Sequence, residues 1–96
     1  VKQLRLKPGF AGSLHRHAIK DEVFYIINGF CNLELQVEHG FETVVMGPGD
    51  FQRILPGTLH RFTNWYRKDC VILEASTHHD DADVERFEPS AQLSGS

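Results

Sequence analysis

Apolar and polar residues alternate over short runs along this chain and never settle into a helical period. The opening VKQLRLKPG alternates and stops at Pro8-Gly9, a pair that turns a chain. Strand-like runs follow over 13–17 and 23–28, and Gly29 punctuates before a third run over 30–38. Glu38-His39-Gly40 then turns the chain into FETVVM, and GPGD at 47–50 is a dense breaker. After it come FQRIL, the turn PGT, LHRFTN, the polar turn YRKD and CVILEAS. Strands at such short, regular spacing predict an all-β sandwich or barrel. From His78 the text becomes acidic and then small and polar. The expected organisation is therefore one β domain over 1–77 and a partly disordered tail over 78–96.

Ninety-six residues leave no room for a second core, and so small a domain would gain stability by pairing with a copy of itself. Apolar residues on both faces of VFYII and CVILEA point the same way, to a homodimer. A net charge of −3 with mixed signs and no basic patch argues against nucleic acid as the main partner. No apolar run approaches a membrane span, and no charged-then-apolar leader opens the chain. Cys31 and Cys70 lie in apolar strand-like runs without CxxC spacing, the pattern of buried reduced thiols. These features together place the expected compartment in the cytoplasm.

The chemistry starts at LHRH. Alternate side chains of a strand share a face, so His15 and His17 point one way, with the carboxylate of Glu22 close behind. In the second half His60 shares a strand face with Phe62 and Asn64. Three imidazoles and one carboxylate from separate rigid strands suit a divalent transition metal and leave positions open for substrate, water or dioxygen. That donor set accepts Mn, Fe, Ni, Co, Cu or Zn. His39 falls in a predicted turn, and His78 and His79 belong to the acidic end; all three read as solvated.

These spacings resemble the cupin superfamily. Its first motif is matched by Gly9, His15, His17, Glu22 and Gly29, and its second by Gly49, Gly57, His60 and Asn64. The second motif's proline position holds Leu55, with Pro56 directly after it. The resemblance implies a jelly-roll β-barrel (double-stranded β-helix) with His15, His17, Glu22 and His60 around a metal inside. A looser likeness, over HRFTN and LEASTHHDDADVERFE, is to D-lyxose-isomerase-like proteins and to the cupin part of mannose-phosphate isomerase/guanylyltransferases.

Fold alone names no reaction. The leading expectation is a sugar isomerase or related carbohydrate-modifying enzyme working on a carbonyl and its neighbouring hydroxyl. It needs a base that is not itself a metal ligand. Glu74 is the candidate, because an acidic residue inside CVILEAS needs a reason; Lys20 and Tyr25 are weaker ones. Substrate contacts are expected from Asn64 and from Arg53 or Gln52, which alternate, so that one of the two points inward. An inward Arg53 would suit a phosphate or carboxylate, an inward Gln52 a neutral polyol. The alternatives are an Fe(II)-dependent dioxygenase, with a more apolar pocket, and a non-catalytic metal- or small-ligand-binding module.

Overall fold

The computed structural model describes residues 1–77 and 83–93. Eleven strands form, with no α-helix among the described residues: β1 (Lys2–Leu6), β2 (Phe10–Ala11), β3 (Leu14–His17), β4 (Glu22–Asn28), β5 (Cys31–Val37), β6 (Gly40–Met46), β7 (Phe51–Ile54), β8 (His60–Thr63), β9 (Cys70–Ser76), β10 (Val84–Glu88) and β11 (Ala91–Gln92). The strands read from alternation fall where expected to within one or two residues. Those that alternation missed are the two-residue β2 and β11, too short for a period to develop, and β10.

Two antiparallel sheets face each other. One has the order β1-β9-β4-β7; in the other, β8 pairs with β3 and β2 on one side and with β5 on the other, and β6 continues beyond β5. Strands β10 and β11 extend this second sheet beside β3 and β2. That corrects part of the tail assignment: residues 84–92 pair with the barrel although their side chains are mostly exposed. The backbone ladder holds them, and a ladder leaves no apolar trace in sequence. His78 and His79 lie outside the described residues.

The core lies between the sheets. On β4 the buried side chains are Glu22, Phe24 and Ile26, while Val23, Tyr25 and Ile27 face out. Cross-strand pairing sets Phe24 opposite Glu74 and Ile26 opposite Ile72, and Leu4 meets Ile72 from the other side. The Phe24 and Phe62 rings join the sheets edge to face at 4.8 Å. Leu33, Met46 and Ile54 fill the rest, with Cys31 and Cys70 among them as buried free thiols. Gly29 is required for two reasons: its φ is +77°, and a Cβ there would sit on the Asp69 carbonyl oxygen.

Candidate metal centre and its cavity

Antiparallel pairing of β3 with β8 places His15 directly opposite His60, and their rings lie 4.5 Å apart. His17 follows on the same strand face, 5.1 Å from His15 ring to ring. Glu22 comes from the facing sheet, at the first position of β4. Its Oε1 stands 3.6 Å from His17 Nε2 and 3.7 Å from His60 Nε2. The three imidazoles and the carboxylate expected from the motifs therefore converge from both sheets.

Backbone carbonyls orient two of the rings. His15 Nδ1 lies 2.9 Å from the Ser13 carbonyl oxygen, and His60 Nδ1 lies 2.9 Å from that of Thr58. An Nδ1–H donating to each carbonyl leaves both Nε2 lone pairs free to face the centre. His60 Nε2 is buried and has no hydrogen-bond partner. Beyond His17, the Asp83 carboxylate lies 3.9 Å from Nδ1 and accepts hydrogen bonds from the N–H groups of Ile19 and Lys20. It thereby secures the turn between β3 and β4. The Gly57 N–H donates to the His17 carbonyl at 2.6 Å, fastening the β7–β8 turn to the same strand.

Electrostatics fit a cation-receiving site. Burial pushes the His17 and His60 imidazoles down to about 4, so both are neutral at pH 7. Burial, with the nearby Glu74 charge second, pushes Glu22 up to about 7. A partnerless buried ring nitrogen beside a carboxylate that burial disfavours as an anion is what a bound cation would relieve. As placed, no set of three or more His, Cys, Asp or Glu among the described residues encloses an ion. Ligands about 2.1 Å from a metal stand roughly 3.0 Å apart at right angles, so the Glu22 contacts, at 3.6 and 3.7 Å, would close by roughly two-thirds of an ångström on loading.

The centre opens into a cavity of about 540 Å³. Leu4, Leu6, Phe24, Phe62 and Ile72 make its apolar wall. Lys20 and Glu74 also line it, the ammonium 3.8 Å from the carboxylate. Glu74 thus faces the site rather than solvent, because β9 pairs it with the buried Phe24.

Four expected site residues do not line the cavity. Arg53 pairs with the outward-facing Val23, and its guanidinium donates to Asp21 at 3.0 Å, so it lies outside the barrel. Gln52, opposite Phe24, takes the inner face, but it is not among the cavity-lining residues and its amide donates to the Arg53 carbonyl. Tyr25 is on the outer face of β4. Asn64 is fully buried and fully engaged: its amide donates to the Leu6 and Lys68 carbonyls, and its oxygen accepts from the Tyr66 N–H. It ties loops together, buried out of a substrate's reach. His39 is exposed on its turn, as expected.

Sequence reasoning passed over Lys2 and Arg86, which line the cavity from β1 and β10. Arg86 enters because β10 sets it opposite His15. Its only forewarning was a basic residue within an acidic stretch.

The comparisons with known proteins agree with this architecture. CapF is similar over 90% of this chain and 27% of its own, with 19% identity and a TM-score of 0.80. Oxalate decarboxylase from Bacillus subtilis is similar over 88% of this chain and 22% of its own, with 23% identity and a TM-score of 0.75. A dTDP sugar isomerase from Desulfovibrio desulfuricans G20 is similar over 90% of this chain and 62% of its own, with 16% identity and a TM-score of 0.80. The chain spans about a quarter of the length of the first two, and such identities bear on fold alone. No curated protein sequence matches significantly. Residues 3–76 match the family described as Cupin domain. With that match covering most of the chain, and the motif histidines and Glu22 brought together across a two-sheet barrel, the chain belongs to the cupin family.

Proposed function

We propose that this cupin binds one divalent transition metal through His15, His17, Glu22 and His60 and acts as an isomerase on a small hydroxyl-bearing carbonyl compound of the sugar type. The observation that carries the reading is the convergence of those four side chains at a cavity that also holds a carboxylate, Glu74, outside the ligand set. A bound ion would supply a Lewis acid for the substrate's carbonyl and adjacent hydroxyl. Glu74 would remove the proton from the hydroxyl-bearing carbon and return it to the former carbonyl carbon, the hydroxyl proton passing to the former carbonyl oxygen so that the old hydroxyl becomes the new carbonyl, while Lys20 holds the Glu74 carboxylate in position. The apolar wall of Phe24, Phe62 and Ile72 limits water around the reacting carbons. The similar dTDP sugar isomerase lends the substrate class some weight.

The apolar wall also favours a second reading, an Fe(II)-dependent dioxygenase, over which the charged residues facing the cavity give preference to a polar substrate. The test loads the protein with Mn or Co, measures metal content, and follows aldose-to-ketose conversion beside oxygen uptake on enols and thiols. Ketose formation supports the isomerase. Oxygen uptake without it supports the dioxygenase. Metal bound with neither activity supports a non-catalytic binding module. Failure to bind any ion in excess overturns the proposal. We also propose a homodimer, supported by the apolar outer row Phe51, Tyr25 and Leu73 that runs across β7, β4 and β9.

A further inference from the structure

We propose that the cavity selects an organic anion, gripping a carboxylate or phosphate group between Lys2 and Arg86 at its exposed rim. The inference rests on the cavity being the substrate site and extends that reading to the substrate's charge; it does not require the metal.

Four basic residues line the cavity, Lys2, Arg5, Lys20 and Arg86, in a chain whose net charge is −3. Two of them are committed. Arg5 donates to Asp69 at 3.0 Å, and Lys20 pairs with Glu74 at 3.8 Å. For Lys2 and Arg86 no carboxylate lies within ion-pair reach among the described residues. Their neighbours explain why. The two carboxylates that share β10 with Arg86 are each taken by another arginine: Glu85 by Arg16 at 3.1 Å and Glu88 by Arg61 at 3.2 Å. Glu74, opposite Lys2, is the carboxylate held by Lys20.

Register turns both cations toward the site. Lys2 shares its strand face with Leu4 and Leu6, which line the cavity, and Arg86 stands opposite His15. The cavity lining holds these four basic side chains against two carboxylates, Glu22 and Glu74, and a bound divalent ion would add to the positive excess. A guanidinium offers a two-pronged donor to an oxyanion, and the lysine adds a point charge. This replaces Arg53, which points away, as the anion-recognising group.

The experiment measures dissociation constants by calorimetry for ribose 5-phosphate, ribonate and ribose, with both EDTA-stripped and Mn-loaded protein. Variants are Arg86→Gln, Lys2→Gln and, as a control for overall charge, Arg67→Gln, an exposed residue that does not line the cavity. The expected result is an affinity for at least one anion about tenfold or more above that for ribose. Arg86→Gln and Lys2→Gln should each erode that preference severalfold without changing ribose binding, while Arg67→Gln changes neither. A preference for ribose 5-phosphate over ribonate assigns the group to phosphate, and the reverse to carboxylate. Equal affinity for ribose and both anions, no binding of either anion, or anion binding indifferent to both cavity substitutions overturns the proposal. Anion preference in stripped protein that also fails to take up Mn would leave this inference standing and remove the metal reading.

Discussion

Nε2 of His60 lies 3.7 Å from Oε1 of Glu22, and the two side chains are 1% and 2% exposed. They belong to opposite sheets, so the contact sits where the barrel closes around the candidate site. A neutral ring nitrogen without a partner and a carboxyl that burial favours as an acid cost the fold stability unless a cation joins them.

Metal should therefore stabilise the protein measurably. At a free Mn or Co concentration of about 100 times Kd, stabilisation is about 2.7 kcal/mol, and thermal melting should rise by roughly 10 °C or more. His60→Gln should lower metal affinity by at least about 100-fold, as loss of a direct ligand exceeds the usual effect of an outer partner. Calorimetry of stripped and reloaded protein checks both; a melt that ignores metal contradicts them.

Acid should weaken the metal-free protein. Unfolded imidazoles protonate near 6.5, whereas His17 and His60 in the fold resist protonation down to about 4. The unfolded chain thus binds the extra protons, and the stability these residues contribute is lost as pH falls from 6.5 to about 4. Glu22 runs oppositely. Raised from 4.5 to about 7, it keeps a proton in the fold that the unfolded chain releases, so its contribution is lost as pH rises through that window. Two imidazoles outweigh one carboxyl. Melting temperature in EDTA should fall on acidification below about pH 6, and more steeply in Glu22→Gln. Metal affinity should fall below about pH 7, where Glu22 takes up its proton.

Glu74→Gln should retain metal and fold but lose about 100-fold or more in kcat for aldose–ketose conversion, the usual worth of a positioned base. Lys20→Met should cost less, because it positions Glu74 from 3.8 Å rather than touching the reacting carbon. Steady-state kinetics with metal content measured in parallel decides. Unchanged turnover in Glu74→Gln would assign the base elsewhere.

Asn64→Ala should destabilise by about 2–4 kcal/mol, because three backbone groups lose their hydrogen bonds to a fully buried side chain at once. Substrate affinity of the folded fraction should be unaffected. Denaturant unfolding and KM measured together separate this loop-tying role from a substrate contact.

Tyr25→Glu and Phe51→Glu should convert a homodimer to monomer at micromolar concentration, since the two side chains are cross-strand neighbours on the outer sheet face and are 44% and 70% exposed. Light scattering reads the outcome. A monomeric parent protein contradicts the expectation directly.

By itself the sequence determined eight of the eleven strands, the buried thiols, the shared face of His15 and His17, and the candidacy of Glu22 and His60. The strands, the thiols and the shared face of His15 and His17 follow from period-two alternation and short-range punctuation such as Gly29, which act within a few residues, whereas joining His60 and Glu22 to them rested on the resemblance to cupin motifs. Only the tertiary structure decided which way Arg53, Gln52 and Tyr25 face, because the parity of a strand depends on its partner and not on its own text. It likewise turned Asn64 into a loop tie, brought Glu74 to the cavity, and seated Arg86 beside His15 through a ladder of backbone hydrogen bonds. Backbone pairing joins residues about seventy positions apart regardless of their side chains, so nothing in the text around Arg86 could announce it.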